Sequence, residues 1–544
     1  MKRLVLPLVG LLCGSAFADH PPAKQGPVVL LDELGNLHHP VATKNAEAQK
    51  FFDQGLRLIY AFNHAEAQRS FQKAAQLDPQ LAMAYWGMAL AVGPNYNVDA
   101  MEAQLKDAYA AISKARELAK AAPEAEQAYI AALAKRYAAD PGTADKKKLA
   151  LAYKEAMGEL AGRYPDDLDA ATLFAESAMN LRPWELWTLD GKPADGTAEI
   201  LKVLEGVLRR NPNHMGACHY YIHAIEASPY PERGLAVADR LGGLAPAAGH
   251  LVHMPSHIYI RVGDFAAAVR ANEKAAAADR AYLEKSKAQG IYPMMYYSHN
   301  LHFLAVANAM QGHYTAAKKA ADQLAAHVGP HAKDMPMLEF FLPTPTLIQV
   351  RFQRWADILD SPAPAAHLPI TRALWHFARG LALVAQDKTA AAQAELEALR
   401  KIHQAMPEDL AYGNRNLAKK VLVIPGSMLK GRIDMAQNDM KSAIVNLQKA
   451  IAVNDGLNYI EPADWYIPPR EVLGALYLRT GKPAQAEKVF RADLEKNPRN
   501  PRSLFGLMES LKAQGNVTAA RFVQQEFQEA WRNAEARELR LQDL

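Results

Sequence analysis

Apolar positions recur along the chain in the spacing of packed helices. From Gly55 the order is Gly55, Leu58, Ala67, Phe71, Ala74 and Pro79. Small and large apolar residues in that order let two antiparallel helices approach closely, and the proline closes the second. The phase returns at Gly263-Asp264-Phe265 with Ala268 and Ala275, at Gly312-His313-Tyr314 with Ala317, and at Asn438-Asp439-Met440 with Ala443 and Ala450. It returns again at Gly481-Lys482-Pro483 with Ala486, Phe490 and Pro498, and at Gly515-Asn516-Val517 with Ala520. A further copy ends at Pro246, with Gly234, Ala238 and Leu241 in phase, and degenerate copies fall near Trp355 and Lys388. Three insertions break the register: Gly93-Pro94-Asn95-Tyr96-Asn97, Arg182-Pro183-Trp184 and Pro343-Thr344-Pro345. From Ala100 to Tyr164 the pattern is helical but no copy can be assigned.

These residues and spacings resemble the tetratricopeptide repeat (TPR), a helix pair about 34 residues long. The resemblance covers most of residues 46 to 535. It implies an all-α fold, an irregular right-handed α-solenoid of antiparallel helix pairs, and a concave groove able to hold a peptide or protein. The organisation expected is an export signal at 1–18, a lead-in at 19–45, N-terminal repeats with insertions at 46–200, central repeats at 201–330 and C-terminal repeats at 331–544.

Composition narrows the class. At 544 residues the chain is too long for one compact core, given ~150 residues per domain. Half of it is hydrophobic and 22% is charged, which excludes disordered and collagen-like chains. Lys2-Arg3, the apolar run from Leu4 to Gly14 and the small residues Ala16 and Ala18 have the pattern of a cleaved export signal, with the mature chain starting at Asp19. The expected location is therefore periplasmic in a two-membrane bacterium and otherwise secreted. The formal charge is +4, or +2 without Lys2 and Arg3, so no nucleic-acid partner is expected. Loss of Cys13 leaves Cys218 alone, with no internal disulfide. Leu241 to Ile260 and Ala288 to Ala317 carry no Lys, Arg, Asp or Glu, but Pro, Gly, Asn, Gln and several histidines interrupt them. They read as buried or cleft-lining helices, and no membrane span is expected in the mature chain.

The histidines carry the candidate chemistry. Eight of the eighteen lie between His214 and His302, an 89-residue window in which the average density would place about three. His219 and His223 are four apart with Glu226 three further on. His250, His253 and His257 are spaced three and four, and His299 and His302 three. Each set occupies one helical face. In repeat register, copies begin at Met215, Gly249 and Ser298. The second, fifth and ninth residues of a copy's first helix are the groove-facing positions in the family it resembles. Those nine positions are Gly216, His219 and His223; His250, His253 and His257; and His299, His302 and Val306.

Neighbouring packed helices lie ~8–10 Å apart, so imidazoles on adjacent first helices can share an ion. Imidazole suits copper and zinc, and Glu226 could complete the ligand set or take a proton from metal-bound water. The expected ligands are His219, His223, His250, His253, His257, His299 and His302. No HExxH or HxE…CxxC signature is present. Three readings follow: a protein that binds copper or zinc; a metalloenzyme, either hydrolytic with Glu226 as base or oxidative with two coppers; and a metal-free scaffold for a peptide. The oxidative version is similar in ligand type and helical spacing to the dinuclear copper proteins that bind oxygen. His64 is expected to be structural, Cys218 a buried small residue, and His38-His39 only weak evidence of a site.

Overall fold

A computed structural model describes residues 26–536 and 538–544; the export-signal pattern lies outside them. The chain divides into two compact units. One takes in the chain up to Ile258 together with Lys274–Pro293; the other comprises Tyr259–Glu273 and Met294–Leu544. Both are built from antiparallel helix pairs, and the only strands among the described residues are the two-residue pair Ala411–Tyr412 and Asn416–Leu417. No helix among them is long and apolar enough to cross a membrane.

The first unit runs through α1 (Ala46–Tyr60), α2 (His64–Leu77), α3 (Ala82–Val92), α4 (Glu102–Leu118), α5 (Glu124–Ala134) and α6 (Lys146–Arg163). It continues through α7 (Leu168–Met179), α8 (Thr197–Arg210), α9 (Met215–Ile225), α10 (Leu235–Leu244) and α11 (Gly249–His253). Helices α12 (Pro255–Arg261) and α13 (Phe265–Ser286) are shared between the units along the chain. Helix starts are written in short polar side chains: Asn45 caps α1 by accepting from the Glu47 and Ala48 amides, Asp145 caps α6, and Asp167 caps α7.

The repeat shows most directly in two glycine–phenylalanine sandwiches. A Cβ on Gly55 or Gly87 would lie 2.6 or 2.4 Å from the Phe71 ring, so the ring of α2 fits only because α1 and α3 each present a bare backbone. In the second unit Phe490 sits in the same way between Gly474 and Gly506, at 2.4 and 2.1 Å. The three-residue spacing is identical in the two cases, 16 residues each way.

The second unit continues with α14 (Ser298–Met310), α15 (Tyr314–Val328), α16 (Thr344–Arg351), α17 (Trp355–Asp360), α18 (Pro369–Val384) and α19 (Thr389–Ala405). Six more follow: α20 (Ala418–Ala436), α21 (Met440–Asp455), α22 (Pro469–Arg479), α23 (Pro483–Lys496), α24 (Pro501–Ala513) and α25 (Val517–Ala530). Its main core threads Ala305, Ile348, Phe377, Leu396, Leu429, Leu447 and Leu473, with Phe490 in a smaller cluster toward the C-terminus. The chain is therefore an all-α, TPR-like protein, and the copies expected to begin at Met215, Gly249 and Ser298 begin there as α9, α11 and α14.

Candidate metal centre

Five of the seven expected histidines meet inside the first unit. Helix α9 supplies His219 and His223 from one face. The break at Met254-Pro255, where the proline has no amide proton to continue the ladder, separates α11 from α12, and His250 and His253 come from the former and His257 from the latter. The five imidazoles and Glu226 are each 0–2% exposed, so any charge placed there is cut off from water.

The geometry sets which nitrogen carries the proton in three of the rings. His219 Nδ1 lies 2.6 Å from the Tyr60 carbonyl oxygen, which can only accept, so Nδ1 donates and Nε2 keeps its lone pair. Glu226 does the same for two rings: His223 Nδ1 donates to Oε1 at 2.8 Å and His257 Nδ1 to Oε2 at 2.5 Å. Two pairs of rings approach through Nε2. His219 Nε2 and His250 Nε2 are 3.2 Å apart, and His253 Nε2 and His257 Nε2 are 3.0 Å apart. His219, His223 and His250 each offer a nitrogen such that all three lie within 4.8 Å of one another, and His223 Nε2 is buried without a hydrogen-bond partner.

Burial disfavours the charged form of His219 and His223. Burial, aided by the His223 imidazole, holds His219 well below the usual histidine range, and burial also lowers His223 against the pull of Glu226. Burial raises Glu226, but His257 and His223 outweigh it and leave the carboxyl below its ordinary range. Both Glu226 oxygens are thus occupied by imidazole N–H groups, and the carboxylate positions two rings. Nothing in that placement aims an oxygen at a water to be deprotonated.

Aromatic rings close the cluster, and the sequence pattern did not single them out for this. Phe62, at a left-handed φ of 54° after α1, places its ring 4.4 Å from His219 and stacks on His223 and His250 at 5.8 and 5.4 Å. Tyr96 and Trp184 lie 5.1 and 5.4 Å from His223 and stack on each other. They come from two of the insertions that break the repeat register. That interruption was the one available signal: loops that depart from a repeat carry function more often than the helices do.

Behind the cluster, the lead-in is tied to α1 and α7. His39 Nδ1 donates to Asp169 at 2.9 Å and His38 Nδ1 to Asp53 at 2.8 Å, so these two histidines are better placed than their irregular segment suggested. Asp169 also accepts from the Tyr60 hydroxyl at 2.7 Å and faces His214 Nε2 at 3.2 Å. His214 Nδ1 in turn caps α9 by accepting from the Ala217 amide. Tyr60 therefore joins the two networks, its hydroxyl on Asp169 and its carbonyl on His219. Its ring fills the space beside Gly216, where a Cβ would lie 2.4 Å away, which explains the one non-histidine position in that set.

His299 and His302 belong to the second unit. His302 is enclosed by Phe340, Phe341 and Tyr466 and is pushed down to about 4 by burial; His299 stands edge-on to Phe303. Cys218 is buried, its thiol pushed up to about 12 by burial and directed at the Pro212 carbonyl. His64 is half-buried, stacked on Phe62, and is likewise lowered to about 4 by desolvation.

No family model matches the chain, and no curated protein matches it. Among solved structures it is similar to the human IFIT1 dimer with m7Gppp-AAAA: 14% identity, 90% of this chain and 91% of that one covered, TM-score 0.33. A tetratricopeptide repeat protein from Parabacteroides merdae is 14% identical over 59% of this chain and 91% of its own, at 0.30. The Cut9-Hcn1 hetero-tetramer of the APC/C is 11% identical over 90% and 78%, at 0.32. At such scores the likeness carries no functional argument, and the repeat architecture rests on the helix pairs themselves.

Proposed function

We propose that the first unit binds a transition metal, copper or zinc, through His219, His223, His250, His253 and His257. The observation that carries this is the set of acceptors behind the rings. The Tyr60 carbonyl and the two Glu226 oxygens hold three Nδ1–H groups and so turn the Nε2 side of His219, His223 and His257 toward the other rings in a dry interior. Metal-ligating histidines are ordinarily oriented in this way, by a carboxylate or carbonyl on the other ring nitrogen. A packed structural core would satisfy such nitrogens with donors; here His223 Nε2 has none.

Glu226 acts here as the group that positions His223 and His257. The hydrolytic reading, which needs a carboxylate free to take a proton, is the weaker one for that reason. Elemental analysis of untagged protein tests the proposal. Near-stoichiometric copper or zinc is expected in the wild type and its loss in the variant His219→Ala/His250→Ala. Equal metal content in the two, with the variant still folded, would sink it.

A further inference from the structure

The second unit holds a stretch of its own chain in its groove, and that contact carries an inference independent of the histidine cluster. Repeat copies begin fourteen residues before the turn residues Asn438, Gly481 and Gly515, at Ile424, Ile467 and Pro501. Their groove-facing ninth, fifth and second positions are Arg432 on α20, Glu471 on α22 and Arg502 on α24. Arg351, the last residue of α16, joins them: its Nη1 donates to Glu471 at 3.4 Å, and Arg502 donates to its carbonyl oxygen.

After α25 the chain turns back, the Glu535 amide donating to the Gly312 carbonyl at 3.1 Å, and Arg540–Leu544 lies across these side chains. The grip is on the main chain. Arg502 Nη1 donates to the Asp543 carbonyl at 2.9 Å, Arg432 to the Leu544 backbone oxygen, and the Gln353 amide to the Gln542 carbonyl at 3.1 Å. Leu544, 2% exposed, enters the apolar cluster of Phe490, Leu507 and Leu511, with Leu541 packed against it. From 532 to 540 none of the described side chains is buried. Carbonyls held by side-chain donors, plus an apolar anchor, are the contacts by which a groove holds an extended peptide.

Charge shows that this segment leaves the groove incompletely matched. Four arginines, Arg351, Arg432, Arg479 and Arg502, meet two carboxylates from the helices, Glu471 and Asp493, and Asp493 already accepts from Asn500 and Ser503. Burial, with Arg479 beside one and Arg351 beside the other, lowers Arg432 and Arg502 to about 10. The segment brings one more carboxylate, Asp543, but Arg540 of the same segment takes it at 3.2 Å. Arg351 Nη2 is buried with no hydrogen-bond acceptor. A buried guanidinium short of an acceptor is costly, and a ligand with uncommitted carboxylates removes that cost. We propose that this groove is a docking site for an extended peptide of a partner protein that combines a leucine anchor with carboxylates, and that Arg540–Leu544 occupies it until such a peptide displaces it.

Fluorescence anisotropy on the full-length variant Leu544→Glu, which expels the anchor, tests this with two labelled peptides. One has the sequence Glu538–Leu544; the other is the same peptide carrying Arg540→Glu and Gln542→Glu. Both should bind the variant, the acidic one about threefold more tightly, as one or two partly exposed ion pairs allow, with the gap closing in high salt. A tethered segment competes at an effective concentration of about 1 mM, so with dissociation constants of about 10–100 μM the wild type should bind each peptide about 10- to 100-fold more weakly. Adding Arg502→Gln to Leu544→Glu should weaken both by about tenfold, the loss of a hydrogen bond from a charged donor. Circular dichroism establishes that each variant is folded. If Leu544→Glu does not fold, the wild type decides: the acidic peptide at about 1 mM should speed tryptic cleavage after Arg540 severalfold, and a scrambled peptide should not. A folded variant that binds neither peptide, equal affinity of variant and wild type, or unchanged cleavage would overturn the proposal. Tighter binding of the unmodified peptide than of the acidic one would overturn the acidic partner.

Discussion

At the scale of single residues, backbone space and buried charge decide the outcome. Gly216 is small because the Tyr60 ring occupies the volume of a side chain, and the same tyrosine orients His219 through its carbonyl. Gly216→Ala should push Tyr60 off that contact. A loss of about 1–3 kcal/mol in the first unit is expected from overpacking, together with reduced metal retention, measured by denaturant titration and elemental analysis. Asp464 offers a pH test in the second unit. Burial raises its carboxyl to about 7, although the Asn416 amide donates to it at 2.8 Å. A carboxyl whose folded value exceeds its unfolded one contributes stability that is fully present below about pH 4 and is lost as pH rises through 7, on the order of 4 kcal/mol when complete. Thermal melts across pH 4 to 8 should show this decline in the wild type. Asp464→Asn, which keeps an acceptor for Asn416, should flatten it; an unchanged profile would show that Asp464 is not the group responsible.

At the scale of elements, the helix pairs are locked by rings inserted between bare backbones. Phe71→Ala in α2 and Phe490→Ala in α23 remove the same wedge from two units. Each is expected to cost about 3–5 kcal/mol, because helices held by their other contacts do not close the gap. Similar losses at the two sites, read from denaturant midpoints, would confirm that the repeat is an energetic unit as well as a geometric one. The lead-in is an element of a different kind, held by side chains. Besides its histidines, Gln54 exchanges hydrogen bonds with Leu31 and Val29, and Arg57 donates to the Leu37 carbonyl. His39→Ala leaves buried Asp169 short of one donor and should destabilise the first unit by about 1–3 kcal/mol. Limited proteolysis within 26–45 should be faster in that variant.

At the scale of the whole molecule, a ligand that binds only the folded first unit must stabilise it by mass action, by about 2.7 kcal/mol at a hundredfold excess over Kd. Hydrogen exchange should therefore slow in α9 and α11 when metal is added, with the amides of α24 in the second unit as the internal reference. Uniform slowing in the absence of bound metal would count against the link.

Much of this protein was legible in its one-dimensional pattern. Helical periodicity, Gly–Phe spacing and polar caps are local rules, so α9, α11 and α14 begin where the repeat phase puts them, and His219 and His223 share a face because the helix repeats every 3.6 residues. What needed the tertiary structure was everything set by contacts distant along the chain. The carbonyl behind His219 comes from Tyr60, 159 positions away, and the ring over His223 from an insertion that local pattern could read only as a break. Glu226 was visible as a neighbour of His223, but only folding brings His257 to its other oxygen and so makes it a bridge between two rings. Sequence alone determines which faces helices present; the closing of those faces around a point depends on burial and on long-range hydrogen bonds, which no spacing along the chain encodes.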